Sequence, residues 1–150
     1  MRSRNDRPVL SGCLLSLAMA AAIPAHAVEI TGLQDFKALH GRYAPGGDCK
    51  RQPQVLVDAS GMTFEVSGGK EKVSRMEFAA SYGGNFYEGI SQWFFPFGGN
   101  GNYPLLMTFN ANEKEGAMTI EGQDEGWKGG PPFTARNRAL VDGSPYARCR

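Results

Sequence analysis

The sequence predicts a mainly β protein of the α+β class: an antiparallel meander sheet or partial barrel of five to six strands. A short helix at each end and one disulfide complete the expected fold. Two observations carry this expectation. Short runs rich in β-branched and aromatic residues are separated by glycine-containing turns, a pattern typical of hairpins. Nine of the sixteen aromatic residues fall between Tyr82 and Phe109, so the rest of a small chain must pack on that segment.

The first 27 residues have the three parts of an export signal. Arg2, Arg4 and Arg7 form a positive start, an apolar run follows, and Ala25-His26-Ala27 is a small-x-small cleavage site. The apolar run is shorter than the roughly 20 residues that a membrane-spanning helix needs. The sequence therefore predicts a signal peptide at 1–27, one globular domain at 28–150, and a periplasmic or secreted location.

One alternative to that location is a lipid-anchored protein. Cys13 lies in a run that resembles a bacterial lipoprotein box, but most of the apolar run follows this cysteine instead of preceding it.

Removing residues 1–27 leaves 13 basic and 14 acidic side chains with no basic patch, which argues against nucleic acid as a partner. Cys49 and Cys149 are the only cysteines left, and two cysteines in an oxidising compartment usually pair.

Elements can be assigned in order along the chain. Leu33, Phe36 and Leu39 recur at helical spacing, which predicts a short helix over 33–39, with Thr31 as its cap. Period-two patterns predict strands over 54–58, 62–66, 71–82, 86–95, 103–110 and 117–121. Pro96 should end the fourth of these, 86–95, because proline cannot donate to a ladder. A second helix is expected over 133–141, after two prolines and before Gly143.

The expected first helix runs into Gly41-Arg42-Tyr43, a glycine followed two positions later by an aromatic residue. This segment resembles the opening of lipocalin-like barrels. The resemblance covers only this segment, and none of the family's later motifs is found in the chain.

The aromatic segment raises the main functional question. Trp93, Phe94, Phe95 and Phe97 put large apolar groups on both faces of a strand, so the strand is either covered on both sides or leaves one face adhesive. The simpler account is that these residues form the core. The sharper account is that Phe94, Phe97 and Tyr103 flank a glycine loop at 98–102 as an exposed binding tip, with Trp93 beside them.

Catalytic and metal-binding motifs are weak. Residues 28–150 contain one histidine, His40, which lies next to Gly41 and has no nucleophile motif nearby. Asn110, Asn112 and Glu121 echo positions of a calcium loop, but Lys114 stands where a ligand belongs, and a hairpin turn explains the segment better. Glu88 is the carboxylate to watch for hydrolysis, and pairing with Arg75 is its simpler explanation.

We therefore expect a non-enzymatic, exported binding protein, such as an inhibitor or immunity-type partner of another envelope protein. The alternative is a binder of a small apolar ligand in an aromatic-lined cavity, and a carboxylate-based hydrolase comes third. The expected binding residues are Trp93, Phe94, Phe97 and Tyr103. No metal or cofactor, no nucleic-acid partner and no membrane span is expected.

The order of charged, apolar and small residues at the N-terminus predicts processing after Ala27. Intact mass of the protein recovered from the periplasm or the medium should give a chain that begins at Val28. A species that begins at Cys13 and carries acyl chains would contradict this and place the protein on a membrane surface.

Overall fold

A computed structural model describes residues 27–81, 87–98, 103–123 and 133–149 of the chain. These residues form a mainly β structure with ten strands and one α-helix, α1 (Ala135–Asp142). The strands are β1 (Val28–Thr31), β2 (Gly41–Pro45), β3 (Gln54–Asp58), β4 (Gly61–Val66), β5 (Gly69–Val73), β6 (Arg75–Ala79), β7 (Gln92–Phe95), β8 (Leu105–Phe109), β9 (Ala117–Gly122) and β10 (Tyr146–Arg148). Two single-turn 3-10 helices lie at Lys37–Leu39 and Ala111–Glu113.

All ten strands belong to one antiparallel sheet in the order β1-β6-β7-β8-β9-β10-β2-β3-β4-β5. β5, at one edge of that order, continues into β6 through Ser74 alone, and β6 lies next to the other edge. A flat sheet cannot satisfy this connection, so the sheet curls into a half-barrel with an inner and an outer face.

The curled sheet comes together around Ser74. The amide of Gly32, just after β1, donates to the Ser74 carbonyl at 2.7 Å, and the amide of Leu33 donates to the carbonyl of Ala59 at 2.9 Å. Gly61 has φ +134° and lies directly against the backbone of Val73, where a Cβ would collide. Glycine is required here because any side chain would push β4 away from the bend.

Side chains fill the inner face. The largest buried residues include Phe64, Phe94, Phe109, Tyr43 and Tyr146, each at most 2% exposed. Leu140 of α1 joins this core, as do Leu33 and Leu39 from the segment before β2. The hydroxyl of Tyr146 donates to the Leu140 carbonyl at 2.7 Å, and that of Tyr43 donates to the Leu39 carbonyl at 2.9 Å. Burial raises the pKa of both tyrosines above its ordinary value.

The structure confirms the mainly β class, the partial barrel and the cysteine pair, and it corrects the number of elements. The expected five to six strands are ten among the described residues, and the helix expected over 33–39 is a single 3-10 turn. The amides of Phe36, Leu39 and His40 each donate to the carbonyl three residues earlier, which is the 3-10 pattern and not the α-helical one. The second helix is present, shifted to Ala135–Asp142.

Some expectations fall outside the described residues. They concern the signal peptide before Ala27, the aromatic residues at 82 and 86, most of the glycine loop at 98–102, and the segment at 124–132. Across the residues that are described, no helix is long and apolar enough to cross a bilayer.

Cys49 and Cys149 lie at disulfide distance, with Cα atoms 5.8 Å apart and a sequence separation of 100. Cys149 follows β10, and its amide donates to the Arg42 carbonyl of β2 at 2.7 Å. Cys49 belongs to the loop after β2, which folds back so that Gly47 approaches the side chain of Ala147. The bridge therefore fastens the last strand to the first long loop.

Replacing Cys149 with serine should lower the free energy of unfolding by about 2–4 kcal/mol without changing strand content. The physical reason is that the bridge closes a long loop, which reduces the entropy of the unfolded chain. Denaturant unfolding with circular dichroism measures both quantities. Free thiols that titrate in the unreduced native protein would show that the bridge does not form.

Candidate functional site

β7 sends its aromatic side chains alternately to the two faces of the curled sheet. Phe94 points inward and is 0% exposed. Its ring packs edge-on against Phe36 at 5.2 Å and Phe109 at 5.4 Å. Trp93 and Phe95 point outward, because neighbouring residues of a strand face opposite sides. Phe94 thus belongs to the core, and its role in an exposed tip is not supported by its position.

Phe97 lies beyond Pro96 and packs on the inner side. Its ring lies 4.9 Å from that of Phe64, and the guanidinium of Arg136 in α1 stacks over it at 3.6 Å. This cation–π contact and the neighbouring ring hold Phe97 between the sheet and the helix. The structure therefore separates Phe97 from the outward-facing aromatics of β7.

Four large side chains form a second apolar group on the outer face, which we call the outer aromatic cluster. They are Trp93, Phe95, Tyr103 and Leu106, with Ala79 beside them. Phe95 and Leu106 are only 7% and 3% exposed, whereas Trp93 and Tyr103 are half-buried. The rings of Phe95 and Tyr103 meet edge-on at 5.1 Å. The cluster thus has a buried centre and two partly accessible aromatic residues around it.

Carboxylates border this cluster. The Tyr103 hydroxyl is hydrogen-bonded to Glu77 of β6, and this bond, aided by burial, raises the pKa of Tyr103. Glu121 of β9 is the cross-strand neighbour of Leu106 and is exposed. The cluster therefore has an apolar centre with carboxylates on two of its sides.

A hydrogen-bonded network connects the cluster to the turn between β8 and β9. Trp93 packs edge-on against Tyr87 at 4.9 Å, and the Tyr87 hydroxyl bonds to the carboxylate of Glu113. The same carboxylate accepts the Ile90 amide at 2.8 Å. Ser91 Oγ lies 3.0 Å from Glu113 Oε1, and the Ser91 amide donates to the Tyr87 hydroxyl at 2.9 Å. One carboxylate thus fixes the residues that lead into β7.

The turn that supplies Glu113 has an unusual backbone. Asn110, Asn112 and Glu113 all have positive φ values, of 52°, 56° and 58°. Side chains other than glycine adopt this conformation only when the surroundings impose it. Asn110 supplies part of that constraint through its side chain. Its Nδ2 donates to the Ile90 carbonyl at 3.1 Å, and its Oδ1 accepts the Gly116 backbone amide at 3.0 Å.

The groups considered for catalysis are dispersed. His40 Nε2 donates to the Leu33 carbonyl at 2.9 Å, next to the 3-10 turn. Glu88 is exposed, and Arg75, its expected partner, pairs with Glu29 at 2.6 Å. Within 27–81, 87–98, 103–123 and 133–149, no group of three or more His, Cys, Asp or Glu could hold a metal ion.

Of the four binding residues expected from sequence, the structure brings together Trp93 and Tyr103. Phe94 lies in the core, and Phe97 lies under α1. Sequence reasoning missed Phe95 and Leu106 as outer residues, although the period-two pattern puts Phe95 on the face of Trp93. It also missed Glu113, which no local motif marks.

Comparisons of the chain with protein-family models, with curated proteins and with solved structures gave no significant match. The case for function therefore depends on the geometry of the chain itself.

The two faces of β7 predict different costs of truncation. Phe94→Ala should lower the free energy of unfolding by about 3–5 kcal/mol, since it leaves a cavity in the core. Trp93→Ala and Tyr103→Ala should cost about 1–2 kcal/mol, because both side chains are half-buried. Phe97→Ala should cost more than Trp93→Ala, because Phe97 packs against the ring of Phe64 and the guanidinium of Arg136.

Thermal and denaturant unfolding of the four single variants measures this order. Equal losses of unfolding free energy for Trp93→Ala and Phe94→Ala would mean that both faces of β7 contribute alike to the core. The outer aromatic cluster would then not be an accessible surface.

Proposed function

We propose that this chain is an exported, non-enzymatic binding protein that captures another protein of the cell envelope, as an inhibitor or immunity-type partner does. The observation that carries the proposal is the outer aromatic cluster: a second apolar group on the outside of a sheet whose inner face already has a full core. Half-buried Trp and Tyr side chains around a buried apolar centre are the usual composition of an interface hot spot.

The charges next to the cluster restrict the kind of partner surface that would be complementary. Glu77 and Glu121 border the apolar centre, on β6 and β9. A partner with an apolar contact surrounded by Lys or Arg would match both features, and one with a carboxylate margin would be repelled. We therefore expect capture to weaken as salt concentration rises.

Export is consistent with this proposal in two ways. The cysteine pair at disulfide distance suits an oxidising compartment. Ala27, the last residue of the expected signal, packs against the outer aromatic cluster. Cleavage after Ala27 would remove that contact and begin the mature chain beside the cluster, so a processed chain would present more of the cluster than its precursor.

Binding of a small apolar ligand is the second candidate. Its expected site was an aromatic-lined cavity, but the interior is filled by aromatic side chains that are at most 2% exposed, namely Tyr43, Phe64, Phe94, Phe109 and Tyr146. A cleft of about 330 Å³ beside Phe64, at the rim of the half-barrel, is the observation that favours this candidate. That volume is at the lower end of the range of small-molecule sites, roughly 300–1,000 Å³.

Capture from an envelope extract tests the protein-binding proposal. The mature chain, immobilised, should retain a protein that Trp93→Ala and Tyr103→Ala lose, and the purified pair should reproduce the loss at about 30-fold or more in Kd, which corresponds to the ~2 kcal/mol of an interface hot spot. Leu56→Ala is the matched control, since Leu56 is a half-buried side chain on β3, outside the cluster.

Thermal unfolding must accompany the capture, so that loss of binding is not confused with loss of fold. If the wild-type chain and all three variants retain the same proteins equally, the outer aromatic cluster is not the binding surface. If the mature chain turns over a substrate and Glu88→Gln abolishes that turnover, a hydrolase would replace the binding protein as the proposed function.

A further inference from the structure

A cleft lies where the turn between β4 and β5 faces the start of α1, and we call it the end cleft. Its volume is about 330 Å³. Apolar atoms of Phe64 and Val66 form one side, and Ala135 of α1 lies across from them. Gly69 also lines the end cleft, and a Cβ at Gly69 would meet only the Val66 carbonyl oxygen, at 3.4 Å. The missing side chain of Gly69 is thus part of what keeps the cleft open.

The charged residues of the end cleft are unequal in number. Lys70 and Arg136 are cations that line it, and Glu71 is the one carboxylate among its lining residues. The Lys70 ammonium is 2.9 Å from Glu65, which lies outside the cleft and also pairs with Arg42 at 3.3 Å. The Lys70 charge is therefore compensated outside the cleft, and the charged pair that lines it is Arg136 with Glu71.

The guanidinium of Arg136 is held ready for an anion. Its Nε and Nη2 atoms both donate to Asn137 Oδ1, at 3.0 and 2.8 Å, and its plane stacks on Phe97. Asn137 is itself 2% exposed, so this support is rigid. The remaining partner is the Glu71 carboxylate, whose side chain is 49% exposed. A planar, oriented guanidinium is the group best suited to bind a carboxylate through two parallel hydrogen bonds.

We propose that the end cleft binds a small amphipathic carboxylate, whose apolar part lies against Phe64 and Val66 and whose carboxylate takes the place of Glu71 on Arg136. Exchange of one carboxylate for another leaves the charge on the guanidinium compensated. Release of Glu71 costs little, because the side chain is half in water and exposed ion pairs contribute little to stability. Contact between the apolar part and the cleft then supplies the net attraction.

None of the lining residues belongs to the outer aromatic cluster, so binding at the end cleft is independent of protein capture and deepens the small-ligand candidate alone. Failure of one leaves the other unaffected, since the variants that test the two share no residue.

Titration calorimetry with octanoate tests this site, and 1-octanol is the neutral probe of matched length. Wild-type protein should bind octanoate saturably and more tightly than 1-octanol. Glu71→Gln should tighten octanoate binding by about 2- to 5-fold, because it removes the internal competitor, and should leave 1-octanol unchanged. Arg136→Gln should weaken octanoate binding by about tenfold or more.

Gly69→Leu should abolish binding of both probes by filling the cleft, with Gly69→Ala as the control that keeps most of the space. Gly69 has no left-handed backbone, so neither change strains the chain. Glu71→Gln guards against misfolding as an explanation, because only it should improve affinity. Absence of saturable octanoate binding, equal affinity for 1-octanol, or unchanged binding by Gly69→Leu would each overturn the proposal.

Discussion

The bend at Ser74 is the constraint on which the rest of the fold depends. β5 pairs with β4 and β6 pairs with β7, yet the two strands are one stretch of chain with a single residue between them. This continuity joins the two ends of the strand order, and the sheet must curl. Gly61 makes the close approach to the bend possible, because a Cβ there would collide with the Val73 backbone. The glycine at position 61 thus permits the sheet to curl, so that one face lies inside the half-barrel and the other outside.

Curling gives the aromatic segment two separate roles. Phe94 points into the half-barrel and belongs to the core that holds the strands together. Its neighbours Trp93 and Phe95 point away and form the outer aromatic cluster. Because the two groups share a backbone but not a face, a change in one should leave the other in place. Such separation is what allows a small domain to present apolar side chains to a partner without weakening its own core.

The sequence was a good guide where the period-two pattern was long enough. β3 was expected with the bounds that the structure has, and β4, β8 and β9 were expected within two residues of theirs. β1, β2 and β10 were not predicted; β1 alternates over only four residues, the shortest run that indicates a strand. β2 contains both Gly41 and Pro45, and β10 is three residues long. Their pairing depends on partners distant in sequence, which no local pattern shows.

The site was predicted less well, and the reason is physical. Alternation along β7 shows that Trp93 and Phe95 share a face that Phe94 does not. It does not show which face is covered, because all three side chains are apolar. Only the pairing of Phe94 with Met107 of β8, whose side chain is fully buried, decides that Phe94 points inward. The network at Glu113 could not be read from the sequence at all, since its members come from separate segments and match no motif.

That network bears on the proposed binding because it holds the residues before β7 in place through hydrogen bonds. Tyr87, against which Trp93 packs, is held by the Glu113 carboxylate, and the same carboxylate accepts the Ile90 amide. The left-handed backbone of Asn112 and Glu113 is what directs this carboxylate toward β7. An aromatic residue fixed before contact loses less conformational freedom when a partner binds, so more of its contact energy remains as affinity. The strained turn between β8 and β9 is therefore best understood as the support that orients Trp93 in the outer aromatic cluster.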